Sequence, residues 1–187
     1  MADHHYFLAV PIPKSTKAEL SKRSEELKQA FPFKSWVHPE DYHITLAFLG
    51  SSSDEALSKV KEQMTMTLND YPSFEIVANG IGTFGKNDAP RIFWVGVEKN
   101  QELSLLQQKI YQSVTEIGFS LDKRPYNPHI TIARRWKNSD GFDSSVLDHF
   151  NQLYPGVLFP CHEVVLYQTH LDRSPKYEVI SRFTLRE

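Results

Sequence analysis

The chain has 187 residues, a formal net charge of −2 and 40% hydrophobic residues, which is ordinary for a protein that buries a core. This charge argues against a protein that coats nucleic acid through many Lys and Arg contacts to phosphates, so any nucleic-acid contact should be local. The single cysteine, Cys161, cannot form an internal disulfide, and no apolar run reaches the roughly 18 residues of a membrane span. We therefore expect a cytoplasmic protein without membrane contact.

The first 85 residues show patterns of strands and helices in alternation. A candidate capping box opens the first helix, with Ser15 or Thr16 as the cap and Glu19 three residues beyond Thr16. Apolar residues at helical spacing mark the second helix. The predicted elements are a strand over 5–12, a helix that Pro32 ends, a loop over 33–42, a strand over 43–49, a helix over 54–68 and a strand over 74–84.

The second half of the chain repeats this order after a polar, turn-rich stretch over 85–90, which we interpret as the seam between two repeats. The predicted elements are a strand over 91–97, a helix over 102–117, a loop over 118–128, a strand from His129, a helix over 142–153 and strands over 161–171 and 177–185. This pattern predicts the α+β class, with two pseudo-symmetric lobes of antiparallel sheet backed by helices around a central cleft.

One short motif occurs twice, as His43-Ile44-Thr45-Leu46 and as His129-Ile130-Thr131-Ile132. The two copies are 86 residues apart, and the same offset carries the segment 6–10 onto 92–96. A repeat of this length fits two similar lobes better than a solenoid of short units. We therefore expect one domain over 1–187 with an internal repeat of approximately 1–85 and 86–187.

The two motifs carry the residues of an acid–base site. Side chains alternate along a strand, so His43 and Thr45 point to one face while Ile44 points to the core, and the second copy repeats this geometry. An imidazole with a pKa near 6.5 acts as either acid or base at neutral pH, and a hydroxyl can hold an anion beside it. A structural histidine is the simpler explanation for one motif alone. Two motifs in matching contexts favour two halves of one catalytic site.

A metal site is the alternative for the histidines, since His38 lies near His43 in sequence and His4-His5 adds two more. Hydrolytic metal sites usually include carboxylates or cysteines as well, and no such spacing is assembled here. We therefore expect no metal. His149, His162 and His170 have no partner motif, so structural roles are expected for them.

Three further residues are candidates for substrate binding. Arg134 lies three positions past Thr131, which places it on the opposite face of an ideal strand unless a bulge changes its direction. Phe48 and Tyr126 are candidates for stacking on a base at the cleft mouth, with core packing as the alternative for Phe48. The flanks of the second motif are basic and either guide an RNA end or form a solvated rim; these residues are Lys123, Arg124, Arg135 and Lys137.

Three segments of the chain resemble the 2H phosphoesterases, and within them the LigT-like RNA 2′,3′-cyclic phosphodiesterases. The segments are Asp-Tyr-His-Ile-Thr-Leu-Ala-Phe-Leu-Gly over 41–50, Arg-Ile-Phe-Trp-Val-Gly-Val over 91–97 and Arg-Pro-Tyr-Asn-Pro-His-Ile-Thr-Ile-Ala-Arg over 124–134. The resemblance covers nearly the full length. Departures are small: Ile132 stands where leucine is common, and Thr169-His170 stands where a serine is often seen.

The resemblance implies an enzyme that opens an RNA 2′,3′-cyclic phosphate to a 2′-phosphate without a cofactor or metal. It assigns the proton donor to His43 and the proton acceptor to His129, and it favours an arginine at position 134. Thr45 and Thr131 would hold the non-bridging phosphate oxygens. The expected partners are RNA ends or nucleotides with a 2′,3′-cyclic phosphate, bound by a monomer. The alternatives are 2′-5′ RNA ligation, hydrolysis of another small cyclic nucleotide, and a binding module without turnover.

Overall fold

The computed structural model describes residues 4–138 and 140–187. Four α-helices, one short 3-10 helix and nine strands make up the described part of the chain. In chain order they are β1 His5–Pro11, α1 Lys14–Ala30, β2 Phe33–Trp36, the 3-10 helix Pro39–Asp41, β3 His43–Ser51, α2 Asp54–Leu68, β4 Phe74–Gly85, β5 Pro90–Val97, α3 Gln101–Glu116, β6 His129–Trp136, α4 Ser145–Leu153, β7 Val157–Cys161, β8 Glu163–Thr169 and β9 Tyr177–Thr184.

Most predicted elements are present, and three details of the prediction are wrong. The stretch 33–42 is not only a loop, because β2 pairs with the distant strand β6. The strand predicted over 161–171 begins at Glu163, as β8, and the separate strand β7 before it was not predicted. The capping box is absent, since α1 begins directly after Pro13 without a side-chain cap, and Thr16 is buried inside the helix.

All the strands form one sheet, in the order β7-β4-β5-β6-β3-β1-β8-β9, with β2 beside β6. Every pairing within it is antiparallel, and the predicted α+β architecture is confirmed. The centre of the sheet is narrow, because β3 and β6 pair through Ile44 and Ile130 alone before β2 becomes the neighbour of β6. This junction separates a first lobe (β1, β3, β8, β9) from a second lobe (β4, β5, β6, β7, with β2).

Each lobe takes strands from both halves of the sequence. β4 belongs to the second lobe although it precedes residue 86, and β8 and β9 return to the first lobe at the end of the chain. The stretch 85–90 is therefore the turn of the β4–β5 hairpin inside one lobe rather than a seam between lobes. The division of the sequence into repeats over 1–85 and 86–187 stays a prediction, and it does not coincide with the lobes.

The helices cover one face of the sheet and leave the other face to the cleft. α2 and α3 contact each other and lie against β9 and β3, whereas α4 contacts β4. One continuous hydrophobic core lies under them and includes the junction residues Ile44 and Ile130, both fully buried. A second, small cluster on the cleft face consists of Phe7, Ala9, Val165 and Tyr167, with Tyr177 packed against it. No helix in the described part of the chain has the length and apolar character that a membrane crossing needs.

Candidate active site

The two motif histidines lie at the junction of the lobes. Ile44 and Ile130 pair with each other and point into the core, so the residues on either side of them point into the cleft. Antiparallel register places His43 across from Thr131 and His129 across from Thr45. The cleft is therefore lined at its centre by two imidazoles and two hydroxyls related by an approximate two-fold axis.

Each imidazole is oriented by a backbone carbonyl two residues earlier in the chain. The Nδ1 atom of His43 lies 2.7 Å from the carbonyl oxygen of Asp41, and the Nδ1 atom of His129 lies 2.8 Å from that of Asn127. A carbonyl only accepts hydrogen bonds, so both Nδ1 atoms carry the proton in the neutral rings. Nε2 is left as the atom that faces the reaction. In His43 it accepts a hydrogen bond from the Thr45 hydroxyl at 3.1 Å.

His43 is enclosed by three aromatic rings, Phe7, Tyr167 and Tyr177, which we call the aromatic wall. Their ring centroids lie 4.8, 6.1 and 5.1 Å from that of His43, and Tyr177 is nearly perpendicular to it at 87°. Loss of water around the ring disfavours the imidazolium and lowers the pKa of His43 to about 4. The Asp41 carbonyl opposes this shift, and the charge of Arg134 adds to it.

His129 has a more open setting on the second lobe. Its ring meets the edge of Phe84 at 4.9 Å and lies 6.5 Å from Trp94. The Trp94 indole lies flat over Gly82, where an added Cβ atom would overlap it, so the glycine makes room for this ring. Burial, with a further contribution from Arg134, lowers the pKa of His129, while the Asn127 carbonyl raises it.

A β-bulge follows the threonine in both motif strands. In β3, Thr45 pairs with Ala9 and Ala47 with Leu8, so Leu46 is the extra residue. In β6, Thr131 pairs with Trp94 and Ala133 with Phe93, so Ile132 is extra. Each bulge reverses the alternation beyond it. The side chains five positions after each histidine, Phe48 and Arg134, therefore point to the cleft face.

The pairing with β3 and β6 fixes the offset between the neighbouring strands β1 and β5. Leu8 and Phe93 hold equivalent core positions beside Ala47 and Ala133, which is an offset of 85 and not 86. The predicted alignment of 6–10 with 92–96 was one residue out of register. A slip of one residue exchanges the two faces of a strand, so the correct register places Ala9 and Trp94 on the cleft floor of their respective lobes.

The bulge at Ile132 turns Arg134 to the cleft face of β6, the face that carries the motif side chains. Burial lowers the pKa values of His43 and His129, and the charge of Arg134 adds to both shifts. Burial raises the pKa of Tyr177, and the charge of Arg134 opposes that shift. An arginine between two histidines is a suitable ligand for a phosphate, because its planar fork donates several hydrogen bonds to oxygen atoms.

The two aromatic candidates have different positions. Phe48 is 56% exposed on the cleft face and has an edge contact with His5 at 5.7 Å, so the alternative of core packing is wrong. Tyr126 is partly buried against the core, and its hydroxyl donates to the carbonyl of Thr45 at 3.2 Å. Tyr126 thus connects the loop before one motif to the strand of the other motif.

The remaining sequence candidates lie away from the centre. Arg124 is exposed and paired with Asp122, and Lys123, Arg135 and Lys137 are exposed as well. The Nδ1 atom of His38 accepts a hydrogen bond from the backbone of Glu40, and His170 pairs with Glu178 at 2.7 Å. Among residues 4–138 and 140–187, no three His, Cys, Asp or Glu side chains come together in a way that could hold a metal ion.

Two residues near His43 were missed by sequence reasoning. The carboxylate of Asp41 is buried and accepts hydrogen bonds from the backbone of Lys176 and Tyr177, at the start of β9. Tyr177 then packs on His43. The only signal in the sequence was the position of Asp41 two residues before the motif, and no local pattern connects it to residues more than 130 positions away.

The lowered pKa of His43 predicts a pH-dependent stability. Between pH 6.5 and 4 the unfolded chain binds a proton at this histidine and the folded protein does not, so the free energy of unfolding falls as the pH falls through this window. The total decrease in the free energy of unfolding approaches about 3 kcal/mol, and it levels off below pH 4. Urea unfolding at pH 7, 5.5 and 4.5 should show a shallower pH dependence for His43→Asn than for the wild type. The same substitution at the exposed His162 is the control, and equal slopes in all three proteins would contradict the prediction.

Comparisons with known proteins agree with this geometry. The family model of the 2′-5′ RNA ligase superfamily matches residues 13–173. An RNA 2′,3′-cyclic phosphodiesterase of Geobacillus stearothermophilus is 40% identical over 99% of this chain, although the chain spans only 58% of that protein's length. An RNA 2′,3′-cyclic phosphodiesterase of Bacillus subtilis is 35% identical over 97% of this chain and 96% of its own length.

Solved structures show the same fold at lower sequence identity. E. coli LigT in complex with 3′-AMP superposes with a TM-score of 0.79 at 20% identity, over 98% of this chain and 99% of that one. TT0787 of Thermus thermophilus gives 0.78 at 23% identity, over 97% and 98%. With the family model and the relatives over nearly the whole chain, these matches show that the protein belongs to the 2′-5′ RNA ligase superfamily, the 2H phosphoesterases.

Proposed function

We propose that this protein hydrolyses RNA 2′,3′-cyclic phosphate ends to 2′-phosphates by a two-histidine acid–base mechanism that needs no metal. The observation that carries the proposal is the junction itself, where His43 and His129 come from different lobes and each turns Nε2 into one cleft. Relatives that carry the name RNA 2′,3′-cyclic phosphodiesterase support the choice of substrate.

The chemistry needs two proton transfers on opposite sides of phosphorus. His129 accepts the proton of the attacking water, and His43 donates a proton to the ribose O3′ atom as its bond to phosphorus breaks. Each such transfer contributes about 10²- to 10⁴-fold in rate. An imidazole suits both tasks, because its ordinary pKa lies close to neutral pH.

Thr45, Thr131 and Arg134 hold the phosphate in this proposal. The hydroxyls donate to the non-bridging oxygens, where negative charge grows in the transition state. In the free protein the Thr45 hydroxyl donates to Nε2 of His43, so it turns to the phosphate when substrate binds. Arg134 supplies the cation from the same face of β6 as Thr131, which the bulge at Ile132 makes possible.

Phe48 is the proposed stacking partner of a base, since its ring is exposed on the cleft face beyond His43 and Thr45. Stacking on an aromatic side chain contributes about 1–3 kcal/mol per base. Phe48→Ala should therefore raise KM for an oligonucleotide substrate about 5- to 100-fold. The thermal midpoint should hardly change, because the ring covers little of the core. Steady-state kinetics and a melting curve check both, and an unchanged KM would remove Phe48 from the site. A substrate contact of Tyr126 stays a prediction.

The proposal is tested by incubating the protein with a nucleoside 2′,3′-cyclic phosphate in the presence of a chelator and following the phosphorus resonance. Appearance of the 2′-phosphate is the expected result. Unchanged substrate would contradict the enzymatic function and leave a binding module as the explanation. A 3′-phosphate product would contradict only the assignment of the bond that breaks.

Ligation of RNA ends through a 2′-5′ bond is the second candidate, and the description of the matching family model favours it. Ligation of this kind reverses the ring opening, with an RNA hydroxyl in place of water, so the same two histidines would exchange roles. Comparing rates on oligonucleotide and mononucleotide substrates separates hydrolysis, ligation and turnover of other small cyclic nucleotides. The cytoplasmic location and the monomeric state stay predictions.

A further inference from the structure

Asp41 is a buried acidic residue beside the first motif, and its carboxylate binds backbone N–H groups. The residue is 5% exposed. Its two carboxylate oxygens lie 2.9 and 3.0 Å from the backbone nitrogen of Lys176, and one of them lies 3.1 Å from that of Tyr177. Hydrogen bonds to a carboxylate are stronger than those between neutral groups. These bonds therefore fix the point where the chain enters β9.

The turn that carries Asp41 is itself held in place by α1. The Nζ atom of Lys17 lies 3.0 Å from the carbonyl oxygen of Glu40 and 2.9 Å from its carboxylate. On the other side of Asp41, the hydroxyl oxygens of Tyr42 and Ser24 lie 3.0 Å apart in a buried contact. Residues 171–176, which lead to β9, are exposed. The turn is therefore the fixed partner, and the start of β9 is the segment that Asp41 positions.

Tyr177 is the residue whose place depends on this anchor. Its ring lies 5.1 Å from that of His43 at 87°, and 4.9 Å from that of Phe7 at 81°. It contributes the β9 member of the aromatic wall, whereas Phe7 lies on β1 and Tyr167 on β8. The carbonyl group of Asp41 accepts the hydrogen bond from Nδ1 of the same histidine. Asp41 thus orients the imidazole through its backbone and holds a ring of the wall through its side chain.

We propose that Asp41 is a positioning residue for the proton donor, because its carboxylate holds the start of β9 where Tyr177 closes the aromatic wall over His43. The wall keeps water from one side of the imidazole and restricts its rotation, so that Nε2 stays directed at the reacting atoms. Without the anchor, the ring of Tyr177 moves away and water enters. The inference rests on the proposed function in naming His43 as the proton donor, whereas the coupling of these three residues is measured without substrate.

The titration of His43 reports whether the wall is closed. Burial is the largest influence on its pKa and lowers it, and the charges of Arg134 and His129 lower it further. The carbonyl and the charge of Asp41 raise it. Burial raises the pKa values of the two phenols in the wall, so both are neutral at neutral pH. Tyr177→Ala should therefore raise the pKa of His43 by admitting water.

Asp41→Asn separates an anchor from a simple charge. The substitution removes a negative charge, which lowers the pKa of His43, and it loosens the wall, which raises that pKa. In a Tyr177→Ala background the ring is already absent, so only the effect of the charge remains. The change in the pKa of His43 caused by Asp41→Asn, measured by NMR, should therefore be more positive in the wild type than in the Tyr177→Ala background.

Amide exchange tests the anchor directly. In Asp41→Asn the backbone amides of Lys176 and Tyr177 should exchange about 10-fold faster, because their acceptor loses its charge. Asp143→Asn is the matched control, since the carboxylate of Asp143 also accepts a backbone N–H, that of Ser145 at 2.9 Å, before α4. The control should leave exchange at the start of β9 and the titration of the first motif histidine as in the wild type.

Kinetics in the cyclic phosphate assay add a third measurement. Asp41→Asn should lower kcat about 10-fold, because the proton donor is less well oriented, and KM should stay within about twofold, because the phosphate ligands are intact.

Three results would overturn the inference. They are an equal change in the pKa of His43 on Asp41→Asn in both backgrounds, an unchanged titration of His43 in Tyr177→Ala, and unchanged amide exchange or kcat in a folded Asp41→Asn protein. A wild type that does not turn over cyclic phosphate would instead overturn the proposed function, whereas the titrations and the amide exchange decide the coupling of Asp41 to Tyr177.

Discussion

Replacing His43 or His129 by alanine is expected to lower the rate of cyclic phosphate hydrolysis by about 10² or more. Each substitution removes the Nε2 atom that the motif histidine of its lobe turns to the centre of the cleft, and neither threonine can replace a proton carrier at neutral pH. The rate of the wild type should be bell-shaped in pH, with limbs that belong to the coupled pair rather than to single residues. Loss of activity with retained phosphate binding would show that the variants are folded and that the lost step is proton transfer.

A substrate with a good leaving group in place of the ribose oxygen distinguishes the two roles. Such a group departs without a proton, so the variant that lacks the acid should recover much of its rate. We expect recovery for His43→Ala and none for His129→Ala. The opposite pattern would exchange the assignment, and recovery of neither would mean that both imidazoles act by positioning the phosphate.

The electrostatics of the free protein make this test informative. His43, inside the aromatic wall, holds a proton less readily than His129, because burial lowers the pKa of His43 to about 4. A proton donor at this position therefore requires that the bound phosphate raise that pKa. A bound phosphate anion would cause such a rise, because it would offset the charge of Arg134 and favour the imidazolium directly. If substrate does not raise the pKa, the more open His129 is the better acid.

The centre of the site follows from short-range sequence rules. Alternation along a strand places His43 and Thr45 together, and repetition of the motif at His129 and Thr131 indicates that the two pairs meet. The buried residues between them, Ile44 and Ile130, provide the contact that joins the lobes. Local apolar patterns were also sufficient for α2, whose bounds agree with the prediction over 54–68.

The direction of the side chains beyond the threonines could not be derived in this way. Ideal alternation places Phe48 and Arg134 on the core side, and only the bulges at Leu46 and Ile132 turn them to the cleft. A bulge depends on the pairing with the neighbouring strand, and no residue type in either motif predicts it. The register of β1 against β3 and of β5 against β6 is not visible in the motifs either, and the predicted offset for β1 and β5 was 86 rather than 85.

Contacts between distant parts of the chain could not be predicted from local sequence patterns. The pairing of β2 with β6 joins segments about a hundred positions apart, and the hydrogen bonds from Lys176 and Tyr177 to Asp41 span more than that. Neither has a periodic signature. The places of β4, β8 and β9 in the sheet could not be predicted for the same reason. An internal repeat in the sequence does not specify which of the two lobes each strand joins.

Arg134→Met should have the second largest effect, on binding and on the histidines together. A charge-assisted hydrogen bond contributes about 1.5–3 kcal/mol, so the dissociation constant for inorganic phosphate should rise about 10- to 100-fold. Loss of the cation should also raise the pKa values of His43 and His129, since Arg134 lowers both in the wild type. Calorimetry and histidine titration by NMR measure these changes without relying on turnover.

Arg135→Met is the matched control, because it removes the same charge from the next residue of the same strand. Arg135 is exposed, whereas Arg134 is partly buried and the bulge at Ile132 turns it to the cleft face with the motif side chains. We expect the control to bind phosphate within about twofold of the wild type, as for a screened surface charge. Equal losses in both variants would mean that net charge around the second motif draws in the anion. A loss confined to Arg134→Met, with both histidine titrations moved upward, would assign the phosphate contact to the side chain that the bulge at Ile132 turns into the cleft.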